Sequence, residues 1–297
     1  MDRRKFLKYS LAIGSAVAFL EHPFHLFAST PEAVRVSGAE PPELLRAALG
    51  AFGGIQSFVS RGDVVVIKPN IGWDRTPEQA ATTNPILIGE LVKSCYDAGA
   101  KKVKVFDRTC NNPRRCYQNS AIQASAEQFG AEVEQIRDFK FRSVSLPEGE
   151  ILKEWPIYKD YLEADKVINV PVAKHHSMSR VTLGLKNLMG IMGGNRGAIH
   201  NRFSEKINDI SAAILPSLTI IDAYRILLRN GPSGGNMNDV KLTKTLIMSP
   251  CTVSADVLSL DLFDRKLEEV PYIREAINRG MNKYKLETLN VKRIQLS

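Results

Sequence analysis

Two apolar runs rich in β-branched residues constrain the fold of this chain more than any other feature. The first, residues 64–67, leads directly into Lys68, and the second, residues 167–170, is followed four residues later by Lys174. Continuous apolar runs of this length between turn residues are typical of strands buried on both faces of a parallel sheet. In an open α/β sheet, ligands bind beyond the carboxyl ends of such strands. The two runs therefore predict both a fold class and the place of a site.

Helical patterns separate the predicted strands. The helix over residues 84–98 begins with Asn-Pro, a favourable N-cap and first helical residue, and it ends before Gly99. Further strands are predicted at 33–36, 102–107, 133–136, 218–221, 245–248 and 291–296, and further helices at 44–52, 120–129, 203–214, 253–267 and 271–279. Residues 137–164 show no regular pattern and are predicted to be irregular. This order predicts an α/β fold: a doubly wound, mostly parallel sheet with helices on both faces, in three layers.

The first 29 residues read as a targeting segment. Arg3 and Arg4 precede an apolar stretch, residues 11–20, that is too short to cross a bilayer, which needs about 20 residues. Paired arginines in this position indicate export by the twin-arginine (Tat) translocase, the expected partner during export. We predict a signal peptide over residues 1–29, a single α/β domain over 30–297, and a periplasmic or other extracytoplasmic location. An uncleaved signal would anchor the protein to the membrane.

The charge balance points to a small anionic partner. The 297 residues carry a formal net charge of +8, of which the targeting segment contributes only a minor part. No DNA- or RNA-binding motif accompanies this charge, and export argues against nucleic acid as a partner. The surplus favours an anionic ligand or an anionic membrane surface. Nothing in the sequence indicates an oligomeric state.

The four cysteines identify no cofactor. Cys95, Cys110, Cys116 and Cys251 match neither the spacing of an iron–sulfur motif nor a zinc-binding CxxC pair. Cys110 and Cys116 flank a short loop, which is compatible with a disulfide in an oxidising compartment and with two free thiols. The cofactor therefore remains unknown, and this chain has no iron–sulfur cluster motif.

Polar side chains converge at the carboxyl ends of the predicted strands. His175 and His176 are adjacent, so in an extended segment they point in opposite directions and at most one faces a ligand. Histidine and a buried lysine can serve as acids or bases near neutral pH. We therefore take as candidate catalytic residues Lys174, His175, His176 and Asp222. The candidate ligand-binding residues are Lys68, Asn70, Asp107, Lys186, Asn187, Gly193, Gly194 and Arg196.

The segment that follows the histidines leaves several alternatives open. Lys186 lies in an apolar run, where it either meets a partner or ligand or extends its charge to solvent. The glycines at 190, 193 and 194 form either a backbone nest for an anion or a helix cap. The run is neither GxGxxG nor a P-loop, so no nucleotide is implied. His200 could join a metal site or act as an acid or base, although no HxH or HxxxH pair supports a metal. The loop at 230–235 is either a mobile lid or a solvated turn.

Several motifs together resemble one known family. They are VVIKPN, the helix end DAGA, INVPVAKHH, TLGLKNLMG, the ID strand end and the Gly-Pro-Gly loop, spread over residues 63–263. They resemble the DUF362 family, a domain of unknown function. The resemblance implies the single domain and the location of the site. Some members carry a ferredoxin-like iron–sulfur domain, but this chain lacks the necessary cysteine run.

Two functional classes follow from these observations. One is an exported enzyme of a redox or cofactor-linked pathway that binds a small anionic ligand in the cleft. The alternative is a non-catalytic extracytoplasmic protein that binds or matures a ligand, metal or cofactor. The clustered histidines, lysines and carboxylates favour the enzyme, because binding alone rarely needs a titrating base.

The twin arginines generate the first testable prediction. Arg3→Lys/Arg4→Lys should retain the precursor in the cytoplasm, because the translocase reads the paired arginines rather than their charge. Fractionation of the expressing cells measures this directly. Undiminished delivery of the double variant to the extracytoplasmic side would rule out this route.

Overall fold

The computed structural model describes residues 30–297, so the predicted signal peptide lies outside the described residues. The strands are β1 Ala33–Ser37, β2 Val64–Pro69, β3 Lys102–Val105, β4 Glu132–Val133, β5 Phe141–Ser145, β6 Glu154–Tyr158, β7 Lys166–Val170, β8 Val172–His176, β9 Arg180–Thr182, β10 Leu218–Leu227, β11 Val240–Ser249 and β12 Val291–Gln295. The α-helices are α1 Pro41–Ala51, α2 Pro85–Asp97, α3 Pro113–Asn119, α4 Ile122–Gln128, α5 Lys159–Leu162, α6 Gly184–Asn187, α7 Phe203–Ser211, α8 Thr252–Leu258 and α9 Pro271–Asn278.

Ten strands form one mixed, mostly parallel sheet. Its order is β12-β1-β11-β10-β7-β2-β3-β4, and β8 and β9 extend from β10. The strands from β10 through β7, β2 and β3 to β4 are parallel, whereas β11 is antiparallel to both of its neighbours. The register of β2 and β7 places Lys68 opposite Asn169. This arrangement confirms the predicted fold class.

Side-chain alternation along the strands creates two cores. In β2, Val65 and Ile67 pack in the first core with α1 to α4, whereas Val66 packs in the second with α6 to α9. Helices therefore cover both faces of the sheet, which gives the three layers expected of a doubly wound fold. Lys68 continues the Val66 side of β2 and so points towards the second core.

Strand β10 is longer than predicted and strand β8 was not predicted, and both differences matter for the site. Strand β10 runs to Leu227, so Asp222 lies inside a strand and not at its end. Its carboxylate accepts hydrogen bonds from the backbone N–H groups of Asn84 and Tyr224, which is why the strand tolerates an acidic residue there. Pro171 interrupts pairing for one residue only, and β8 then resumes beside β10.

Other boundaries also differ from the predictions. Residues 137–164 contain the antiparallel hairpin β5–β6, whose short strands lack a clear alternation of apolar and polar residues. The helix predicted over 253–267 ends at Leu258 and continues as a 3₁₀ turn. Cys110 is exposed and Cys116 is buried, and both are free thiols. Within residues 30–297, no helix is long and apolar enough to cross a membrane.

The N-cap of α2 generates a prediction about stability. The side chain of Asn84 accepts a hydrogen bond from the backbone N–H of Ile86 at 3.0 Å. We expect Asn84→Ala to lower the free energy of unfolding by about 1 kcal/mol, because this N–H loses its partner. Urea titration measures the change. Asn84→Ser, which keeps an acceptor, should recover most of the stability; equal loss in both variants would contradict the capping role.

Candidate functional site

A cavity of about 500 Å³ lies at the carboxyl ends of β2, β3 and β8. The segment 184–200, which contains α6 and two 3₁₀ turns, forms its opposite wall. The cavity brings together nine of the twelve predicted site residues: Lys68, Asn70, Asp107, Lys174, His176, Lys186, Asn187, Gly194 and Arg196. The cleft therefore lies beyond the carboxyl ends of the strands, where open α/β sheets bind their ligands.

Asp222 does not line this cavity, and the expectation that it does is wrong. It alternates with Ile221 and Ala223, which pack in the second core, so its side chain points into the first. There its carboxylate accepts from Asn84 N at 2.7 Å and from Tyr224 N at 3.1 Å. Burial raises the pKa of this carboxyl to about 6. Asp222 thus joins α2 to the sheet on the far side from Lys68.

His175 and Gly193 also lie outside the lining. His175 Nδ1 accepts from the backbone N–H of Gly231, so His176 is the histidine that faces the cavity. The N–H of Gly193 donates to the carbonyl of Pro156 at 2.7 Å. A Cβ at position 193 would press on the ring of Phe141, so this glycine permits close packing against the β5–β6 hairpin. Gly193 therefore does not contribute its N–H to a backbone nest for an anion, which was one of the two alternatives for these glycines.

A buried ion pair forms the floor of the cavity. Lys68 Nζ lies 2.9 Å from Asp107 Oδ1, and both side chains are almost completely buried. Asp107 Oδ2 accepts the backbone N–H of Ile71 at 2.6 Å. Burial lowers the pKa of Lys68, although the carboxylate of Asp107 opposes this effect. A Cβ at Gly190 would overlap both partners, so only glycine lets the opposite wall approach this pair.

A chain of side-chain amides, hydrogen-bonded in one direction, connects Lys174 to the opposite wall of the cavity. Lys174 Nζ donates to Asn70 Oδ1 at 3.1 Å, and Asn70 Nδ2 donates to Asn187 Oδ1 at 3.0 Å. Asn187 Nδ2 in turn donates to Asn169 Oδ1 at 2.9 Å, whose own amide donates to the carbonyl of Gly184 at 3.0 Å. Because each amide is both donor and acceptor, the lysine at one end fixes the orientation of every member.

Two further lysines lie in the cavity without a carboxylate partner among residues 30–297. Lys174 also donates to the carbonyl of Ala81 at 2.6 Å. Lys186 Nζ contacts Met189 Sδ at 2.8 Å and His200 Nε2 at 3.4 Å. Burial lowers the pKa of each lysine to about 7, because the charged form loses its hydration. Both amines therefore titrate near neutral pH.

The hydrogen bonds of the two histidines fix where their protons sit. His176 Nδ1 accepts from the backbone N–H groups of Met178 and Ser179, so the neutral ring carries its proton on Nε2. Lys186 as an ammonium only donates, which makes His200 Nε2 an acceptor and leaves the proton on Nδ1. Burial lowers the pKa of both rings. One ring thus offers a donor and the other a lone pair.

These tautomers do not favour a metal at the two histidines. A metal ion binds a ring nitrogen that carries no proton, whereas His176 already uses its unprotonated nitrogen for two backbone N–H groups. In the part of the chain that the structure describes, no three His, Cys, Asp or Glu side chains are placed to hold a metal ion. The arrangement suits proton transfer better than coordination.

Two arginines add permanent positive charge to the rim. Arg196 donates to the backbone carbonyls of Arg108 and Thr109, each at 2.9 Å. Arg108 donates to the carbonyls of Met192 and Gly194. Within residues 30–297 these neutral acceptors leave both charges without a carboxylate partner, apart from the exposed Asp138 at 3.9 Å from Arg108. Five cationic side chains thus face one carboxylate in the lining.

The sequence analysis did not identify two residues that support the cavity wall without lining the cavity, Asp256 and Asn169. Asp256, in α8, accepts the backbone N–H groups of Gly184 and Leu185 and so fixes the start of α6. Burial raises the pKa of this carboxyl to about 7. Asn169 was hidden inside an apolar strand. In both cases the sequence offered one indication: a polar residue within an apolar run, because a buried polar side chain needs a hydrogen-bond partner.

The contrast between Lys68 and Lys186 generates a prediction about stability. Lys68→Met should lower the free energy of unfolding by about 3–5 kcal/mol, because it leaves Asp107 buried without its cation. Lys186→Met should instead raise the melting temperature, because it removes a buried amine that has no carboxylate partner. Thermal and urea unfolding of the ligand-free protein measure both changes.

The gain from Lys186→Met should depend on pH. The pKa of Lys186 is lowered from 10.5 to about 7 by burial, so between these values the unfolded chain binds more protons than the folded one. Wild-type stability therefore rises with pH across this window, and the advantage of the Met variant shrinks. An advantage that is independent of pH, or a loss of stability at neutral pH, would contradict the assigned environment.

Comparison with known proteins identifies the family. The chain matches the model of DUF362, described as a domain of unknown function, over residues 65–261. It is 26% identical over 246 residues to the thylakoid-associated protein sll1697 of Synechocystis sp. (strain ATCC 27184 / PCC 6803 / Kazusa), covering 80% of this chain and 74% of the relative.

Two solved structures are similar at low identity. The apoprotein of lactate racemase from Thermoanaerobacterium thermosaccharolyticum has a TM-score of 0.44 at 12% identity over 73% of this chain, and a Thermotoga maritima protein has 0.42 at 13% over 70%. The chain spans only 54% and 56% of their lengths. The family match covers most of the described residues and confirms the resemblance seen in the motifs: the chain belongs to the DUF362 family.

Proposed function

We propose that the protein binds a small organic anion in this cavity and acts on it as an extracytoplasmic enzyme. The observation that carries the proposal is the charge of the lining, in which five cationic side chains face one carboxylate. That carboxylate, Asp107, is already paired with Lys68. Buried positive charge without a counter-charge is unfavourable, and an anionic ligand supplies the missing partner.

The dimensions of the cavity suit a small molecule. Its volume of about 500 Å³ lies within the range of ligand pockets, which is about 300–1,000 Å³. Trp73, Met178, Met189 and Pro232 add apolar surface to the charged lining. A molecule with one anionic end and a short uncharged body would satisfy both parts. Pro232 brings the 230–235 turn to the rim, which supports a covering role for that loop.

The side chains in the cavity that can donate or accept a proton support catalysis rather than binding alone. The cavity holds a ring donor at His176, a ring acceptor at His200 and two amines with pKa values of about 7. Groups of this kind can both give and take a proton at neutral pH. A site built only to hold an anion would need fixed cations, which Arg108 and Arg196 already provide.

Two observations support a location outside the cytoplasm. Arg3 and Arg4 precede a short apolar stretch in the sequence. The relative from Synechocystis is described as thylakoid-associated. Export of the folded protein by the Tat translocase would bring an assembled cavity to the extracytoplasmic side.

Ligand binding tests the proposal. We expect short carboxylates or phosphate to raise the melting temperature of the wild-type protein, and Lys174→Met to weaken binding by about tenfold or more, because a charge-assisted contact contributes about 1.5–3 kcal/mol. Calorimetric titration measures the affinity. Lys101→Met is the matched control: it removes the same charge from an exposed residue next to the amino end of β3, and it should leave affinity unchanged. Equal affinity in wild type and the Lys174 variant would contradict the proposal.

The pH dependence gives an independent prediction. An anion favours the ammonium form, so binding raises the lowered pKa of Lys174 and of Lys186 and takes up protons above about pH 7. Affinity should be highest below pH 7 and should fall as the pH rises above it. Titrations in buffers of different ionisation enthalpy measure the proton uptake. Affinity that is flat between pH 6 and 9, values chosen to bracket a pKa of about 7, would show that neither lysine contacts the anion.

A further inference from the structure

Lys186 differs from the other two cavity lysines in what surrounds its amino group. Lys68 Nζ is held by Asp107 Oδ1 and the carbonyl of Pro69, and Lys174 Nζ donates to two oxygen atoms. The neighbours of Lys186 Nζ are a thioether sulfur, an imidazole nitrogen and the ring of Phe203, whose centroid is 5.2 Å away. A thioether is a weak acceptor, so this amine is the least restrained of the three.

Its position gives this amine access to a ligand. Lys186 is 8% exposed and lines the cavity. Asp256 fixes the backbone of α6 just before it, and Asn187 just after it is tied into the amide chain. The residue is therefore held by rigid neighbours while its terminal nitrogen has no carboxylate partner within residues 30–297. A side chain that merely extended to solvent would not need this support.

We propose that Lys186 is a nucleophilic amine that forms an imine with the carbonyl group of the bound anion. The substrate class is then an anionic aldehyde or a 2-oxo acid. This inference rests on the proposed function, because it assumes that the cavity holds the anionic end of the same molecule. It adds the chemical group that the protein acts on and the residue that attacks it.

The surrounding groups complete the reaction without another reactant. The lone pair of the neutral amine attacks the carbonyl carbon while the carbonyl π electrons move to oxygen. His200 Nε2, 3.4 Å from Lys186 Nζ, accepts the proton that the nitrogen must lose. That proton then goes to the oxyanion and gives the hydroxyl of the carbinolamine. The remaining N–H proton follows by the same route, and the protonated hydroxyl leaves as water when the C=N bond forms. Amine plus carbonyl thus give imine plus water.

Two further groups suit the same step. His176 Nε2–H faces the cavity and can donate to the developing oxyanion, and its ring centroid lies 6.1 Å from that of His200. Arg196 donates to the carbonyl of Met189, three residues from Lys186, and can hold the carboxylate close to the amine. Because the pKa of Lys186 is about 7, about half of this amine is neutral at pH 7, whereas an ordinary lysine is almost fully charged.

Reductive trapping tests the inference on the full-length protein. Wild type is incubated with glyoxylate and sodium cyanoborohydride at pH 7, and intact mass and peptide mapping then locate the adduct. We expect one carboxymethyl group per chain on Lys186, formed about 1,000-fold faster than on an ordinary exposed lysine, because about half of Lys186 is neutral at pH 7 whereas an ordinary lysine is almost fully charged. Adducts spread evenly over surface lysines, or located on Lys174, would overturn the inference.

Matched variants separate the inference from the proposed function. Lys186→Arg keeps the charge but cannot form an imine, and Lys186→Met serves the same purpose if arginine does not fit. Either variant should lose the adduct, whereas Lys101→Met should retain it. Glycolate, which has the carboxylate but no carbonyl, tests the anion site alone by thermal shift. Stabilisation by glycolate without trapping at Lys186 would refute the imine and leave the anion site intact. Neither stabilisation nor trapping would refute both.

Discussion

The Lys68–Asp107 ion pair is the interaction on which the rest of the cavity depends. It joins the ends of β2 and β3, and Asp107 also accepts the backbone N–H of Ile71 just beyond β2. Gly190 brings the opposite wall against this pair, and its carbonyl accepts the backbone N–H of Arg108. Further hydrogen bonds help a buried ion pair to offset its desolvation, and here the N–H of Ile71 donates to Asp107 while Lys68 donates to the carbonyl of Pro69. The pair therefore determines the distance between the two walls.

The chain of amide hydrogen bonds connects the ion pair at the ends of β2 and β3 to α6 in the opposite wall. Asn187 contacts the carbonyls of Lys68 and Pro69 as well as the amides of Asn70 and Asn169. A buried network of this kind is favourable only when every member is satisfied, so it selects one arrangement of β2, β7 and α6. Lys174 begins this chain of hydrogen bonds, and Lys186 lies two residues after Gly184, whose carbonyl ends it. Their placement without carboxylate partners is thus a product of rigid surroundings and not of local flexibility.

The sequence predicted the sheet and the edge that carries the site because both depend on local patterns. The β-branched runs before Lys68 and in β7 identify buried strands, and the strand rule then locates the cleft. The role of Asp222 was not accessible, because it depends on how far β10 continues, and pairing with β11 decides that. The choice between His175 and His176 likewise depends on a contact with Gly231, 56 residues away. Asp256 acts through backbone groups 72 and 71 residues distant, which no local pattern reveals.

The two cavity lysines without a carboxylate partner among residues 30–297, Lys174 and Lys186, lower the stability of the ligand-free protein. Burial lowers the pKa of Lys174 and of Lys186 from 10.5 to about 7, and a tenfold change in a proton-binding constant corresponds to about 1.4 kcal/mol between protonation states. The ligand-free domain must bear this unfavourable contribution, and its two large cores supply the compensation. Natural selection for stability alone would replace both residues by apolar ones of similar length. Both residues line the same cavity as the Lys68–Asp107 pair, in which the carboxylate is already occupied by Lys68. Among the described residues, Lys68 and Asp107 pair with each other, whereas Lys174 and Lys186 have no carboxylate partner.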